Sequence, residues 1–207
     1  PNPRRWGQLA HATLAFGYGL SVTPLQLANA YAVLARDGQR RSVSLLKQAP
    51  ESHLASAGEQ VIEPRIARQV RAMMKAVTEE GGTGTRAAVA GYDVAGKSGT
   101  VHQLGDSGYD KNRYVAIFAG MVPVENPRLV AVVVIEDPRS EEYYGGLVAA
   151  PVFSRVASDA LRLLNIAPQE TAAQHVSRKK SGEPAPRATD AGTPNSTSTV
   201  QVGRGPA

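Results

Sequence analysis

The pattern of apolar and polar positions predicts a first helix that begins near residue 24. Thr23 is a suitable N-cap, Pro24 fits the first turn, and Gln26 completes a capping box with Thr23. Gly38 follows the last apolar position and is expected to end the helix. The apolar residues that recur at helical spacing are Leu27, Ala30, Tyr31, Leu34 and Ala35.

Two further helices are predicted, one that begins at Pro64 and one over residues 148–166. The helix at Pro64 has an apolar stripe that is expected to pack in a core, and the glycine-rich segment 81–85 is expected to end it in a mobile loop. The two apolar stripes are Ile66, Val70, Met73, Met74 and Val77, and Val152, Phe153, Val156, Ala160, Leu161, Leu163 and Leu164.

Three strands are predicted between the second and the last helix, over residues 88–101, 114–122 and 129–136. The third is almost entirely β-branched or apolar, which is typical of a strand that is buried on both faces. Residues 123–128 have the length and composition of a hairpin turn, so the second and third strands are expected to be neighbours.

The composition favours one packed domain followed by a tail. The chain has 207 residues, of which 42% are hydrophobic and 20% charged, so a core can form over most of its length. From residue 168 onward the composition changes to alanine, threonine, serine, proline and glycine with scattered charge. We therefore expect residues 1–167 to fold and residues 168–207 to be a disordered tail.

The net charge of +5 does not by itself indicate a nucleic-acid-binding protein. The basic residues occur as scattered pairs and aromatic residues make up only 5% of the chain, whereas nucleic-acid-binding proteins cluster positive charge and interleave aromatic residues. The positive charge would also suit an anionic polymer or a membrane surface. Because the chain has no cysteine and its four histidines are far apart, no metal site is expected.

The sequence contains no stretch that could span a bilayer. Its longest apolar run, residues 129–135, is far shorter than the about 20 residues that a membrane-spanning helix needs. The chain begins with Pro1 instead of methionine, and we expect it to be part of a longer protein.

The segment Lys97-Ser98-Gly99-Thr100 is the main candidate for a functional site, and it lies in the first predicted strand. Lys97 beside a hydroxyl group can hold a carboxylate through charge-assisted hydrogen bonds. Gly99 leaves a gap in the strand where a ligand can approach the backbone closely. The alternative is a strand that contains these residues by chance, because so short a pattern is weak evidence when it stands alone.

The same four residues match the last of the three motifs of penicillin-binding proteins and serine β-lactamases, S-x-x-K, S-x-N and K-T/S-G. The flanking segments 16–28 (FGYGLSVTPLQLA), 81–85 (GGTGT), 108–120 and 143–153 (YYGGLVAAPVF) agree with this family in sequence and order. Over residues 1–167 the chain therefore resembles the C-terminal part of the transpeptidase domain of class B penicillin-binding proteins, of the septal, penicillin-binding-protein-3 type.

The resemblance implies an α/β (α+β) fold of the penicillin-binding-protein and serine β-lactamase type, with an antiparallel sheet flanked by helices. This family has a five-stranded sheet, and the chain would contribute the last three strands, the closing helix and two helices before them. The first two strands, the nucleophile helix and most of a helical lobe would lie upstream. The isolated chain would then have an unpaired sheet edge and exposed apolar faces, and we expect it to be unstable or aggregation-prone.

The resemblance also implies a role for each residue of the motif. Lys97 and Thr100 would be catalytic, because Lys97 would orient proton transfer and attract the substrate carboxylate, and the Thr100 N–H would form one half of an oxyanion hole. Ser98, Gly99 and Thr100 would bind the carboxylate end of a D-Ala-D-Ala stem peptide or of a β-lactam.

Aromatic residues are expected to border the same pocket. By resemblance, Tyr114, Tyr143 and Tyr144 would form its wall, and the alternative is ordinary packing of tyrosines in strands and turns. His102 stands where close relatives often have arginine or lysine, and a neutral imidazole there would attract a carboxylate less strongly.

The nucleophile motif of the family is not found in a suitable context. It requires a serine at a helix N-terminus with a lysine one turn later. Ser44 and Lys47 fit the letters, but they follow the end of the first helix and come after the segment that the nucleophile should precede. Ser177 and Lys180 fit as well but lie in the predicted tail, and S-x-N does not occur in the chain.

The implied function is that of a serine D,D-transpeptidase that cross-links peptidoglycan stem peptides during septum formation, is trapped by β-lactams and needs no cofactor. The parent protein would lie at the periplasmic face of the bacterial inner membrane, with its anchor in the missing N-terminal part. Its partners would include divisome membrane proteins but no nucleic acid, and the fragment alone would be inactive. The alternatives are an elongation-type transpeptidase or a β-lactamase, and a non-catalytic penicillin-binding sensor or degenerate structural paralogue.

Overall fold

A computed structural model of the chain shows a mixed α/β fold and describes residues 7–14, 17, 19–46, 58–105, 108–139 and 142–169. Within these residues, three of the strands are long and four of the five helices contact them. The elements in chain order are α1 (Gln8–Leu14), α2 (Pro24–Ala35), β1 (Gln39–Arg40), β2 (Glu59–Gln60), α3 (Pro64–Lys75), a 3₁₀ turn (Thr85–Ala87), β3 (Ala95–Gly105), β4 (Gly108–Val122), β5 (Leu129–Glu136), α4 (Gly145–Val148) and α5 (Ala150–Leu163).

Helix α2 begins as its sequence predicts. The Gln26 N–H donates to Thr23 Oγ1 at 3.2 Å, and the Thr23 N–H donates to Gln26 Oε1 at 2.9 Å, so the capping box is complete. After the helix, Gly38 adopts a φ of +87°, which glycine accepts at little cost and other residues do not. The predicted helix start is therefore confirmed. The helix itself ends at Ala35, and two turn residues separate it from Gly38.

The three long strands form one antiparallel sheet in the order β3-β4-β5. Ser98 lies opposite Phe118, and Lys97 lies opposite Ala119. Opposite residues of neighbouring strands point to the same face, and successive residues of one strand point to opposite faces. We call the face that contains Ser98 and Phe118 the serine face, and the face that contains Lys97 the lysine face.

Helices cover both faces of the sheet. On the serine face, the Phe118 and Phe153 rings have centroids 5.0 Å apart, and both side chains are fully buried. On the lysine face, Met121 packs against residues of α2 and α3, which include Leu34 and Met74. This helix–sheet–helix layering agrees with the predicted antiparallel sheet flanked by helices.

Helix α3 begins at Pro64 as predicted, but its buried face differs from the predicted stripe. Ile66 is 38% exposed and Met73 is 65% exposed, so these two positions were predicted wrongly. The buried residues of α3 are instead Ala67 and Arg71. An alanine and an arginine do not stand out in an apolar pattern, which is why the pattern placed the face incorrectly.

The burial of Arg71 explains how α3 is oriented. Its Nη1 donates to Leu34 O at 3.0 Å and to Ala35 O at 3.1 Å, which are carbonyl groups at the C-terminal end of α2. Its Nη2 lies 2.9 Å from Asp37 Oδ1. A guanidinium group that satisfies the last carbonyls of a helix is favourable because those groups lack partners within the helix. The two helices are therefore joined by a polar contact.

The predicted strand and helix boundaries need several corrections. Residues 88–94 precede β3 and form a tight turn closed by a bridge between Val89 and Tyr92, so β3 begins at Ala95. Strand β4 begins six residues before the predicted position, at Gly108. The last helix is split into α4 and α5 and ends three residues early. Helix α1 was not predicted, because it has few turns and no clear cap.

Strand β5 has the predicted bounds but not the predicted burial. Residues 129–135 are all half-buried, although the sequence favours burial on both faces. Within the part of the chain that the structure describes, β5 is an edge strand whose second side has no neighbouring strand. Its partial exposure follows from this edge position.

The last described residues contact the turn that precedes β3. The Tyr92 hydroxyl donates to Ile166 O at 2.6 Å, and Gln169 N donates to Gly91 O at 2.8 Å. Gln169 Oε1 also accepts from Asp93 N at 3.1 Å. The predicted tail from residue 170 onward lies outside the described residues, so the division at residue 168 remains a prediction. None of the described helices is long and apolar enough to cross a membrane.

Candidate active site

The Lys97–Thr100 segment lies in β3, at an edge of the sheet. Among the described residues, β3 has a neighbouring strand on one side only. Lys97 is exposed on the lysine face, and its Nζ donates to the backbone carbonyl of Ser98 at 2.6 Å. Ser98 and Thr100 point to the serine face. The edge of β3 thus has a cation on one side and two hydroxyl groups on the other.

Both hydroxyl groups are held by neighbouring segments. Ser98 Oγ lies 3.0 Å from Thr83 Oγ1, which belongs to the glycine-rich segment before the 3₁₀ turn. Thr100 Oγ1 accepts from the N–H of Gly145, the first residue of α4, at 2.9 Å. Each hydroxyl can rotate its own hydrogen, so both can still serve a ligand. The orientation of the pair is set by contacts that sequence analysis did not identify.

Two glycines let α4 approach the sheet this closely. A Cβ atom at Gly145 would lie 2.3 Å from the carbonyl oxygens of Gly99 and Ile117, and one at Gly146 would lie 1.9 Å from Thr83 O. By contrast, a Cβ atom at Gly99 would meet only Ile117 Cβ, at 3.7 Å. The gap predicted at Gly99 is therefore open to the outside, whereas the other two glycines are required by backbone packing.

Four aromatic rings form a row beside Thr100. His102 lies opposite Tyr114 in the strand register, with ring centroids 4.7 Å apart. Tyr114 stacks on Tyr143 at 4.1 Å, and Tyr143 stacks on Tyr144 at 4.5 Å. The structure thus brings together the three tyrosines that the resemblance placed at the pocket wall, and it adds His102 to the end of the row.

The polar groups of this aromatic row have defined partners. His102 Nδ1 lies 3.1 Å from the carbonyl oxygen of Asp110, which can only accept, so Nδ1 is the protonated nitrogen. The Tyr143 hydroxyl donates to the Tyr144 hydroxyl at 3.3 Å.

A bidentate ion pair links the two segments that hold the hydroxyl groups. Arg86, in the 3₁₀ turn, places Nη1 2.9 Å from Glu142 Oε2 and Nη2 3.2 Å from Glu142 Oε1. The same Nη1 donates to Leu147 O at 3.2 Å. Neither Arg86 nor Glu142 belongs to a recognised motif, so the sequence alone does not indicate a role for them.

Of the serine and lysine residues that match S-x-x-K only by letters, Ser44 is the one that lies in the described part of the chain. Ser44 lies in an irregular segment, where its Oγ donates to Leu46 O at 3.0 Å and accepts from Leu46 N at 3.1 Å. It therefore does not begin a helix, as the sequence indicated. Lys47, Ser177 and Lys180 lie outside the described residues. Within those residues, no three histidine, aspartate or glutamate side chains are grouped so that they could hold a metal ion.

The structure divides the predicted site residues of β3 and β4 between the two faces of the sheet. Lys97 and Gly99 lie on the lysine face, while Ser98, Thr100 and Tyr114 lie on the serine face. Five residues that support them could not be identified from the sequence, where the only signal was the glycine-rich segments on either side. They are Thr83, Arg86, Glu142, Gly145 and Gly146.

Comparison with known proteins assigns this arrangement to a family. The family model of the penicillin binding protein transpeptidase domain matches residues 1–158. The chain belongs to this family. The apo structure of the TP domain of penicillin-binding protein 3 from Burkholderia pseudomallei has the same fold, with a TM-score of 0.72 and 42% identity over 80% of this chain and 49% of that one.

Two curated relatives of this transpeptidase-domain family are close in sequence. "Probable peptidoglycan D,D-transpeptidase PenA" of Neisseria flavescens is 46% identical over 165 residues, which is 80% of this chain and 40% of the relative. Peptidoglycan D,D-transpeptidase FtsI of Escherichia coli K12 is 44% identical over 168 residues, which is 81% of this chain and 28% of the relative. The chain thus spans less than half the length of the relatives it matches.

Proposed function

We propose that the protein to which this chain belongs is a serine-type peptidoglycan D,D-transpeptidase that acts in septal cell-wall synthesis. An upstream serine would attack the D-Ala-D-Ala bond of a stem peptide, release D-alanine and form an acyl-enzyme, which the amine of a neighbouring stem peptide would resolve. β-Lactams would trap the same serine. The observation that carries the proposal is the edge of β3, where the Lys97 ammonium group lies on one face and the Ser98 and Thr100 hydroxyl groups, held by Thr83 and Gly145, lie on the other.

The contribution of this chain would be to bind and polarise the substrate. Lys97 would attract its carboxylate and help to orient proton transfer, while Ser98 Oγ and Thr100 Oγ1 would donate hydrogen bonds to that carboxylate. The open space at Gly99 would let the substrate backbone lie along the strand. A carboxylate at this edge would be attracted by the Lys97 charge from one face and could accept hydrogen bonds from the hydroxyl groups on the other, which is favourable for an anion that leaves water.

The backbone of Thr100 is suited to one half of an oxyanion hole. In an antiparallel strand, the N–H and C=O groups of one residue point to the same side, and this side alternates along the strand. Ser98 O accepts from the Lys97 side chain, which supports its facing the free side of β3. Thr100 is two residues further on, so its N–H would also face the free side, where it could stabilise an oxyanion.

The aromatic row would form one wall of the pocket. Tyr114, Tyr143 and Tyr144 present flat apolar surfaces next to the hydroxyl groups, and stacked rings of this kind hold each other in place. His102 would lie at the end of the row near the carboxylate site. Lys97 would be the main cation for the carboxylate.

The wider context of the chain is part of the same proposal. Residues 1–167 would be the C-terminal part of the transpeptidase domain, and most of residues 168–207 would be a disordered tail. The whole protein would be anchored in the inner membrane with this domain on the periplasmic side, and it would act with other membrane proteins of the division machinery. The names of the FtsI and PenA relatives support a transpeptidase with a role in division.

The test of the proposed function is an intact-mass measurement of the whole protein after incubation with benzylpenicillin. We expect a stable adduct of one penicillin on one serine upstream of this chain. Absence of an adduct, with penicillin left intact, would contradict the proposal and favour a non-catalytic paralogue. Rapid hydrolysis of penicillin without a stable adduct would instead indicate a β-lactamase.

Substitution of Ser98 by alanine tests the proposed carboxylate site. We expect the rate constant of acylation by penicillin to fall roughly tenfold, because one charge-assisted hydrogen bond is lost while Thr100 retains the other. Stopped-flow acylation of the whole protein measures this. The matched control is Ser44→Ala, which removes an exposed loop hydroxyl and should leave the rate unchanged. An unchanged rate in Ser98→Ala would show that Ser98 does not bind the carboxylate.

A further inference from the structure

We propose that Arg86 is a positioning residue that sets the geometry of the pocket by clamping the segment 142–147 from both ends. The inference rests on the proposed function for its kinetic consequences, but the clamp itself concerns only the described residues. Its basis is the single guanidinium group that bonds to Glu142 before the segment and to Leu147 O after it.

The clamped segment contains most of the contacts that shape the pocket. Tyr143 and Tyr144 extend the aromatic row, and Gly145 donates its N–H to Thr100 Oγ1. Gly146 packs against Thr83 O, and Thr83 Oγ1 bonds to Ser98 Oγ. A displacement of the segment would therefore change the positions of both the Ser98 and the Thr100 hydroxyl groups.

The backbone next to Arg86 is anchored to the core. The next residue, Ala87, is fully buried in the core of the serine face, and the Ser154 hydroxyl of α5 donates to Ala88 O at 2.6 Å. The Ala87 N–H also donates to Gly84 O at 2.9 Å, which joins the turn to the glycine-rich segment. The Arg86 side chain thus links the segment 142–147 to backbone that is anchored in the core.

Chemistry explains why arginine suits this task. A guanidinium group is planar and has donors on a fixed fork, so a bidentate contact with a carboxylate fixes direction as well as distance. About half of each of the Arg86 and Glu142 side chains is exposed, so their attraction adds little to overall stability. The main effect of the pair is therefore on geometry, because small displacements of positioning groups can alter rates strongly.

The test uses the whole protein and four variants, Arg86→Gln, Glu142→Gln, the charge swap Arg86→Glu with Glu142→Arg, and the control Arg40→Gln. Arg40 forms an exposed ion pair with Glu59 between β1 and β2, away from the clamped segment. For each variant, stopped-flow acylation by penicillin separates the dissociation constant of the initial complex from the rate constant of acylation. Thermal unfolding and hydrogen exchange of the peptide covering 143–148 are measured in parallel.

We expect each single substitution in the clamp to lower the rate constant of acylation by about five- to twentyfold and to speed exchange in the segment several-fold, with the melting temperature nearly unchanged. The charge swap should recover most of the loss, since it restores the bidentate pair. The control should behave as the unmodified protein. A purely stabilising ion pair would change the melting temperature without this selective effect on acylation.

Two results would overturn the proposal. Unchanged acylation and unchanged exchange in both single variants would show that the segment is held by its other contacts. A charge swap as impaired as the single variants would show that the pair does not act as a unit. If the unmodified protein formed no penicillin adduct, the proposed function would fail, and the exchange measurement would still decide whether Arg86 clamps the segment.

Discussion

Replacement of Lys97 by alanine in the whole protein is expected to lower the rate constant of acylation by penicillin by roughly 10²–10³-fold. The substitution removes the cation at the edge of β3 and leaves a carboxylate to be bound by hydroxyl groups alone. It also removes a group that would orient proton transfer near the nucleophile. Lys97 is exposed and its one described hydrogen bond is to its own strand, so the fold should be little affected.

The measurement is stopped-flow acylation, with thermal unfolding to confirm that the fold is intact. Lys97→Arg is the matched variant, because it keeps the charge but changes the shape and hydrogen-bond geometry of the cation. We expect it to recover part of the binding of penicillin and little of the acylation rate. A Lys97→Ala protein that is acylated as fast as the unmodified one would remove Lys97 from the proposed site.

Replacement of Gly146 by alanine is expected to lower acylation by about 10²-fold and the free energy of unfolding by about 1–3 kcal/mol. The new Cβ atom would lie 1.9 Å from Thr83 O, so α4 and the glycine-rich segment must separate by more than 1 Å. This movement would break the contact between Thr83 and Ser98. The added methyl group would thus disturb the carboxylate site indirectly, because it displaces Thr83, which holds the Ser98 hydroxyl group.

The control for this substitution is Gly7→Ala, because a Cβ atom at Gly7 would meet nothing within 4 Å. Acylation kinetics and urea unfolding of the two variants should therefore differ widely, with Gly7→Ala close to the unmodified protein. If Gly146→Ala kept both its stability and its acylation rate, the close packing of α4 on the glycine-rich segment would not be important for the site.

The parts of the fold that could be predicted from the sequence are those that local chemistry decides. The start of α2 depends on a capping box between Thr23 and Gln26, which are three residues apart, and β5 is a run of β-branched residues between turns. The motif at Lys97–Thr100 was visible because strand, cation and glycine are adjacent in the chain. In each case the deciding interactions lie within a few residues of one another.

The parts that could not be predicted depend on contacts between distant residues. Arg71 is buried because it reaches the carbonyl of Leu34, 37 positions earlier, and an apolar pattern contains no information about that contact. The bond between Gly145 N and Thr100 Oγ1 spans 45 positions. The pairing of Arg86 with Glu142 spans 56 positions, so the support of the site could not be found before the structure.

Among the described residues one edge of β3 has no neighbouring strand, and this has a further consequence for how copies of the protein behave towards one another. An exposed strand edge offers unpaired backbone groups to any other edge, and a charged side chain on the edge opposes such pairing. Lys97 lies within this edge, so two copies that paired there would each have to bury an ammonium group or place it near its counterpart. Lys97, which is proposed to attract the substrate, would therefore also oppose self-association at this edge. Its replacement by a neutral residue would favour edge-to-edge pairing of β3 between two molecules.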